Sequence, residues 1–292
     1  MHNNDLVVNA DFFNPVLNNF YGLGNLSEND KNLPREFYYV RYKYVQAEVL
    51  VRKKYFHNLL QFYLGPTYFN YWNRYQDNKN KILAHPSQTG LDSASIFNKK
   101  SYFGGKFAIV INNLNSELLP TRGVIWNTEL TSMFGMNDNS HKISKFTSDL
   151  AVYASLRAPA KLVAVLRVGG GHIFNNNYEY FQALTLGNNN YLRGYRKNRF
   201  SGQSLLYQTT ELRVKLFESR SYIVPGAVGL IGFYEVGRVW IKDETSNRWH
   251  NDFGGGFYYS PYNFAIVSAT IAHSAEDNLF NFSIGTKFNI TF

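Results

Sequence analysis

Residues 279–292 read LFNFSIGTKFNITF, and the run alternates almost without a break. Phe280, Phe282, Ile284, Thr286, Phe288, Ile290 and Phe292 fall on one face, and Leu279, Asn281, Ser283, Gly285, Lys287, Asn289 and Thr291 on the other. A strand turns successive side chains to opposite sides, so a period of two defines one apolar face and one small or polar face. The same rhythm runs through 144–157, where Phe146, Leu150, Val152 and Leu156 oppose Lys145, Thr147, Asp149 and Ser155. It recurs in 203–217, where Leu206, Leu212, Val214 and Leu216 oppose Gln203, Thr209, Glu211, Arg213 and Lys215.

Carried outward, this pattern marks about thirteen strand candidates. They are 4–14, 16–27, 36–53, 57–72, 101–113, 121–135, 144–157, 161–174, 203–217, 224–240, 249–259, 263–274 and 279–291. Many exceed the ~5–6 residues usual in soluble sheets, whereas a tilted strand needs about 9–11 to cross a bilayer. The connections are uneven. APA (158–160) and SPY (260–262) are tight, while 73–100 and 175–202 are long and polar and fall together on the opposite side. Short turns at one end and long loops at the other are the anatomy of a transmembrane antiparallel β-barrel. A soluble all-β sandwich accounts for the alternation, but not for the strand length or the loop asymmetry.

The bulk composition agrees. Tyr and Phe number 22 and 24, and aromatic residues make up 17% of the chain. No run approaches the ~18 apolar residues of a membrane helix. The start, MHNNDLVVNADFF, lacks the basic head and apolar core of a secretory signal, which implies a processed or internal start. With no cysteine, disulfides and thiolate metal sites are excluded. The formal charge of +9 fits an anionic membrane surface, an acidic partner or a nucleic acid.

Several motifs then line up in order. LRGY occupies 192–195 in the second long loop, TTELRVKL supplies Glu211 on the next strand, and IGFYEVGRVW supplies Gly232, Phe233, Glu235 and Gly237 on the one after. PTRG (120–123) precedes a strand, and FGGGFYYSP (253–261) is a glycine-rich strand running into a proline turn. A C-terminal strand with Gly285 and Phe288 ends on Phe292. From about residue 100 onward this set resembles the BamA/TamA-type outer-membrane assembly barrels, the bacterial surface antigen family. The resemblance implies a sixteen-stranded barrel in a Gram-negative outer membrane, with 175–202 folded back into the lumen. It makes 1–292 a single barrel domain that lacks its first strands and any N-terminal periplasmic (POTRA) domain. YGLGN (21–25) also resembles barrels fused to a phosphoesterase- or patatin-like domain.

Alternation turns Glu211 inward with Thr209, Arg213 and Lys215, and turns Glu235 inward with Ala227, Gly229, Phe233 and Gly237. Two lumen carboxylates on adjacent strands call for a cation. Arg193 is the candidate, because a planar guanidinium can bridge both with directed hydrogen bonds. Gly194 would allow a tight loop tip and Tyr195 would pack near Phe233. Arg196, Lys197 and Arg199 read as a solvated surface, and His172 and His250 as loop or rim residues. The cations carry no interleaved stacking platform, so nucleic acid is not an expected partner.

No nucleophile elbow, HExxH or paired-histidine motif is present, so neither catalytic residues, metal nor cofactor is expected. GGGH (169–172) reads as glycines relieving crowding in a strand. The resemblance implies insertion or export of polypeptides through a weakly zipped strand junction. Its partners would be outer-membrane lipids, client outer-membrane or secreted proteins, and accessory periplasmic or surface proteins. An anchor or export barrel for an attached enzyme domain and a passive pore are the alternatives.

Overall fold

The structure, a computed structural model, describes residues 4–89, 91, 95–188, 191–219, 222, 224–262 and 265–286. Its strands are β1 (Asn4–Asn19), β2 (Tyr39–Tyr55), β3 (Leu60–Trp72), β4 (Lys100–Asn112), β5 (Gly123–Gly135), β6 (Ile143–Ser155) and β7 (Leu162–Ile173). Two short strands, β8 (Leu184–Leu186) and β9 (Phe200–Gly202), follow, and then β10 (Ser204–Ser219), β11 (Gly226–Trp240), β12 (His250–Pro261), β13 (Ala265–Ser274) and β14 (Asn278–Thr286). Twelve of them form one antiparallel sheet in chain order, with β10 beside β7, while β8 and β9 pair with each other.

Outward side chains of the sheet are greasy and uncovered. Phe280, Phe282 and Ile284 of β14 are each at least 60% exposed. Leu64, Phe103, Phe107, Leu130, Leu150, Leu206, Leu212 and Phe257 are also exposed on other strands, from 37% to 63%. No soluble core would leave such a belt open; lipid covers it. The inward positions carry the polar set and the buried core. The chain is therefore a β-barrel wall, as alternation and loop asymmetry predict. Residues 287–292, including Phe288 and Phe292, lie outside the described residues.

The candidates 4–14 and 16–27 prove to be one strand. The ladder with β2 runs from Asn4 opposite Lys53 to Asn19 opposite Tyr39, with a bulge between Phe13 and Val16. Pro15 sits in that bulge on an edge strand, where its missing N–H costs no ladder bond. Residues 20–27 then leave the sheet, and Phe20 and Tyr21 are buried in a second core with Tyr38, Val40, Tyr71, Leu83 and Tyr180. Among the described residues this makes twelve wall strands rather than thirteen, four fewer than the resemblance implies.

Among the described residues, β1 and β14 share no ladder, so the sheet has two free edges. Its ends nevertheless approach each other, because Lys31 Nζ, in the connection after β1, lies 2.6 Å from Asp277 in the turn before β14. The connections 20–38, 73–99, 136–142, 174–203, 241–249 and 275–277 all fall at this end, the three longest among them, and the other end carries shorter connections of which 113–122 is the longest.

Candidate functional site

The connection between β7 and β10 enters the barrel because its own apolar side chains have no other place to be buried. Leu186, Leu192 and Phe200 are completely buried, packed with Ile173, Tyr207 and Val239 of the wall. The β8–β9 hairpin, registered Leu184 to Gly202, carries the tip. Within the tip, Leu192 N donates to Gly187 O at 3.1 Å and Asn188 N to Tyr195 O at 3.0 Å. A second charged contact holds the stem, where buried Lys100 at the start of β4 donates to Glu179.

Arg193 projects from this tip onto β10 and β11. Its Nη1 donates to Glu211 Oε2 at 2.9 Å, its Nε to Glu235 Oε1 at 2.9 Å, and its backbone N–H to Glu235 Oε2 at 2.6 Å. The guanidinium lies 3.6 Å from the centre of the Phe233 ring. Glu211 and Glu235 side chains are only 9% and 3% exposed, so these charge-assisted bonds work in a dry setting. Burial opposes the charge on Arg193, but Glu235 and then Glu211 outweigh it and raise its pKa above the ordinary value. Glu211 has a second cation, with Arg213 Nε at 2.5 Å.

Two glycines let the loop come this close. A Cβ on Gly194 would stand 2.6 Å from Asp252 Cβ and 3.0 Å from Ser274 Cβ, so the tip lies flat against β12 and β13. Close approach to the wall, rather than a turn conformation, is what requires glycine there. A Cβ on Gly237 would meet Leu186 at 2.9 Å, so β11 is notched where β8 lies on it.

Tyr195 departs from its expected place. It is fully buried, with its hydroxyl donating to Asn251 O at 3.2 Å and its ring against Phe200 and His250 at 5.2 and 5.8 Å. Burial pushes its phenol up to about 12. The Phe233 ring is covered by Arg193 instead, in a cation–π contact. His250 opens β12 next to the 241–249 connection, where it is buried and stacked 3.7 Å from Phe200 rather than solvated.

The remaining loop cations are not all solvated. Arg199 is 3% exposed, with Nε 2.8 Å from Glu276 Oε2 and Nη1 and Nη2 donating to Ser27 Oγ and O at 2.9 and 2.6 Å. Arg196 Nε lies 3.1 Å from Asp277 Oδ2. Burial works to raise the Asp277 carboxyl, but Lys31 and Arg196 hold it below its ordinary range. Lys197 is half-buried. The acids that draw these arginines in sit about eighty residues away, in a turn that alternation does not reach.

The site also contains residues that the motifs leave out. Asp252 faces Glu235 across the β11–β12 ladder, is 1% exposed, and has no hydrogen-bond partner on either carboxyl oxygen among the described residues. Asn281 of β14 donates to Arg193 O at 3.1 Å and accepts from Asn188 Nδ2 at 2.5 Å. Gly285, on the same strand, stands half-buried with Ile266 3.0 Å from where its Cβ would be. Alternation puts Asp252 and Asn281 inside; it does not say which inward residue the tip reaches. The loop tip thus contacts every strand from β10 to β14.

Comparison with known proteins comes to the same architecture. The Omp85 superfamily domain matches residues 9–288. Among solved structures, the chain is similar to the crystal structure of BamA from Haemophilus ducreyi lacking POTRA domains 1–3, with a TM-score of 0.66 and 15% identity, over 96% of this chain and 58% of that one. It is similar to CdiB from Escherichia coli with a TM-score of 0.56 and 13% identity, over 84% of this chain and 45% of that one. The chain therefore spans about half the length of these structures, and the likeness is one of fold. No curated protein matches the sequence.

Proposed function

The chain belongs to the Omp85 superfamily, and from that membership we propose that it serves an outer-membrane machine that inserts or exports other polypeptides through the junction between β1 and β14. The observation that carries this reading is the pair of edges that share no ladder among the described residues. Edge N–H and C=O groups in hydrocarbon need partners, and a strand of an incoming polypeptide supplies them in register. The chemistry is non-covalent: ladder hydrogen bonds form on one edge as a client strand leaves the aqueous side. Clients are outer-membrane or secreted polypeptides, and bilayer lipid is the medium they enter.

The 174–203 loop acts here as a plug and brace. Arg193 ties it to β10 and β11, and Asn281 ties it to the edge strand β14, so the loop holds one side of the junction while closing the lumen.

Reconstitution tests the reading. Liposomes carrying the protein should insert a urea-unfolded outer-membrane barrel protein faster than empty liposomes, scored by the gel shift of the folded client. The chain has no cysteine, so Lys31→Cys with Asp277→Cys can be bridged selectively by a bis-maleimide across the outer end of the junction. Bridging should slow insertion to the empty-liposome rate. Insertion no faster than in empty liposomes, or unaffected by the bridge, overturns the proposal.

A further inference from the structure

Two residues before Arg193, Tyr191 turns the other way round the wall, toward β6, β7 and β10. Its ring lies on that of Tyr207, with centroids 3.6 Å apart and planes 5° from parallel. The Arg167 guanidinium stands 4.6 Å from the Tyr191 ring centre, and Arg167 Nη2 donates to Tyr191 Oη at 3.4 Å. Arg167 is itself fixed by Asp149, with Nε 2.7 Å from Oδ2, and the Tyr207 hydroxyl donates to the same carboxylate.

This floor is built into the wall strands. Gly169, the first glycine of GGGH, faces Tyr207 across the β7–β10 ladder, and any Cβ there would lie 2.1 Å from the Tyr207 hydroxyl. The glycine leaves room for the ring on which Tyr191 rests. Tyr191 occupies the slot from a backbone with φ of 75°, a left-handed conformation that a bulky L residue rarely adopts. Stacking and cation–π attraction hold it there against that strain. Beside the slot lies a lumen cavity of about 570 Å³, lined among others by Tyr191, Tyr207, Arg167, Asp149 and Lys145.

We propose that Tyr207, Arg167 and Asp149 form an aromatic-binding slot in the lumen, filled by Tyr191 as a second fastening of the loop that does not depend on Arg193. Because the slot opens onto the cavity, its ligand class is the aromatic side chain of a polypeptide in the lumen, which takes the place of Tyr191 and frees the loop. The inference rests on the plug reading of the loop.

Planar-bilayer recording separates the two. Tyr191→Gly removes the ring and suits the backbone, and should raise open-lumen occupancy roughly tenfold, the equivalent of one aromatic pair. Millimolar p-cresol, a free stand-in for the aromatic ligand, should compete with Tyr191 and raise open-lumen occupancy in wild type, and change nothing in Tyr191→Gly, where no ring remains to be displaced. Tyr191→Phe should stay near wild type. If Tyr191→Gly matches wild type and the double variant with Arg193→Ala opens no further than Arg193→Ala alone, or if p-cresol leaves wild type closed, the slot is wrong. If the double variant conducts no more than wild type, the plug reading itself fails.

Discussion

The inner faces of β4–β6 and of β10–β12 follow the same rule and end in different surroundings. On β4–β6, Lys106 lies 3.2 Å from Glu48 and 3.0 Å from Glu129, and Lys145 lines open cavities of about 280 and 570 Å³. On β10–β12, Glu211, Glu235 and Asp252 lie beneath the loop tip and are almost wholly buried. Both walls turn charges inward, but Glu129 is 36% exposed toward the cavities, whereas Glu211 and Glu235 are 9% and 3% exposed beneath the tip. Coulomb attraction at a given distance grows as the local dielectric falls, and so does the cost of leaving a charge alone. Beneath the tip it is the loop that encloses Glu211 and Glu235.

The largest expected effect is at Arg193. Arg193→Ala leaves Glu211 and Glu235 enclosed without their shared cation, at a cost of about 3–5 kcal/mol, less where lumen water enters. Loss of the heat-modifiable folded band on gels at a lower temperature would measure it. Next comes Gly194→Ala, whose Cβ would overlap Asp252, with an expected cost of about 1–3 kcal/mol. Limited proteolysis should then cut the loop tip, which is protected in the native protein.

On the cavity-facing wall, Lys106→Ala should cost about 1–3 kcal/mol in the same melting assay, because Glu129 is open to the cavity and buried Glu48 keeps hydrogen bonds from Gln46 and Asn9. A loss as large as that at Arg193 would erase the contrast between the two walls. The smallest effect concerns the outer clamp. The depressed Asp277 carboxyl contributes stability above its unfolded pKa of about 4, and that contribution is lost as pH falls through the lower folded value. Hydrogen exchange of the 275–277 turn should therefore quicken below about pH 4 in wild type but not in Asp277→Asn.

How much was legible depended on the range of the interaction. The strand at 279–286 and the lipid-facing rows Phe146–Leu150–Val152 and Leu206–Leu212–Val214 can be read residue by residue, because a two-residue period is local. The two apparent strands around Pro15 could not be joined from sequence, since a bulged edge strand tolerates a proline that a central strand would not. Inward placement of Glu211 and Glu235 follows from alternation, whereas linking Arg193 to them rested on the LRGY resemblance. Tyr195 lies with Phe200 and His250 rather than against Phe233, a choice that only packing makes.

By itself the sequence determined which side of the strands at 144–157, 203–217 and 279–286 meets lipid, because the pleat enforces it. It also set the end of the barrel that carries the long connections, because antiparallel strands alternate their turns. Tertiary structure alone decided that Asp252 and Asn281 join the loop site, that Arg199 is buried against Glu276, and that Tyr191 lies on Tyr207. Each of those contacts joins residues whose separation in the chain has no period, so nothing short of the closed-up register of distant strands could bring them together.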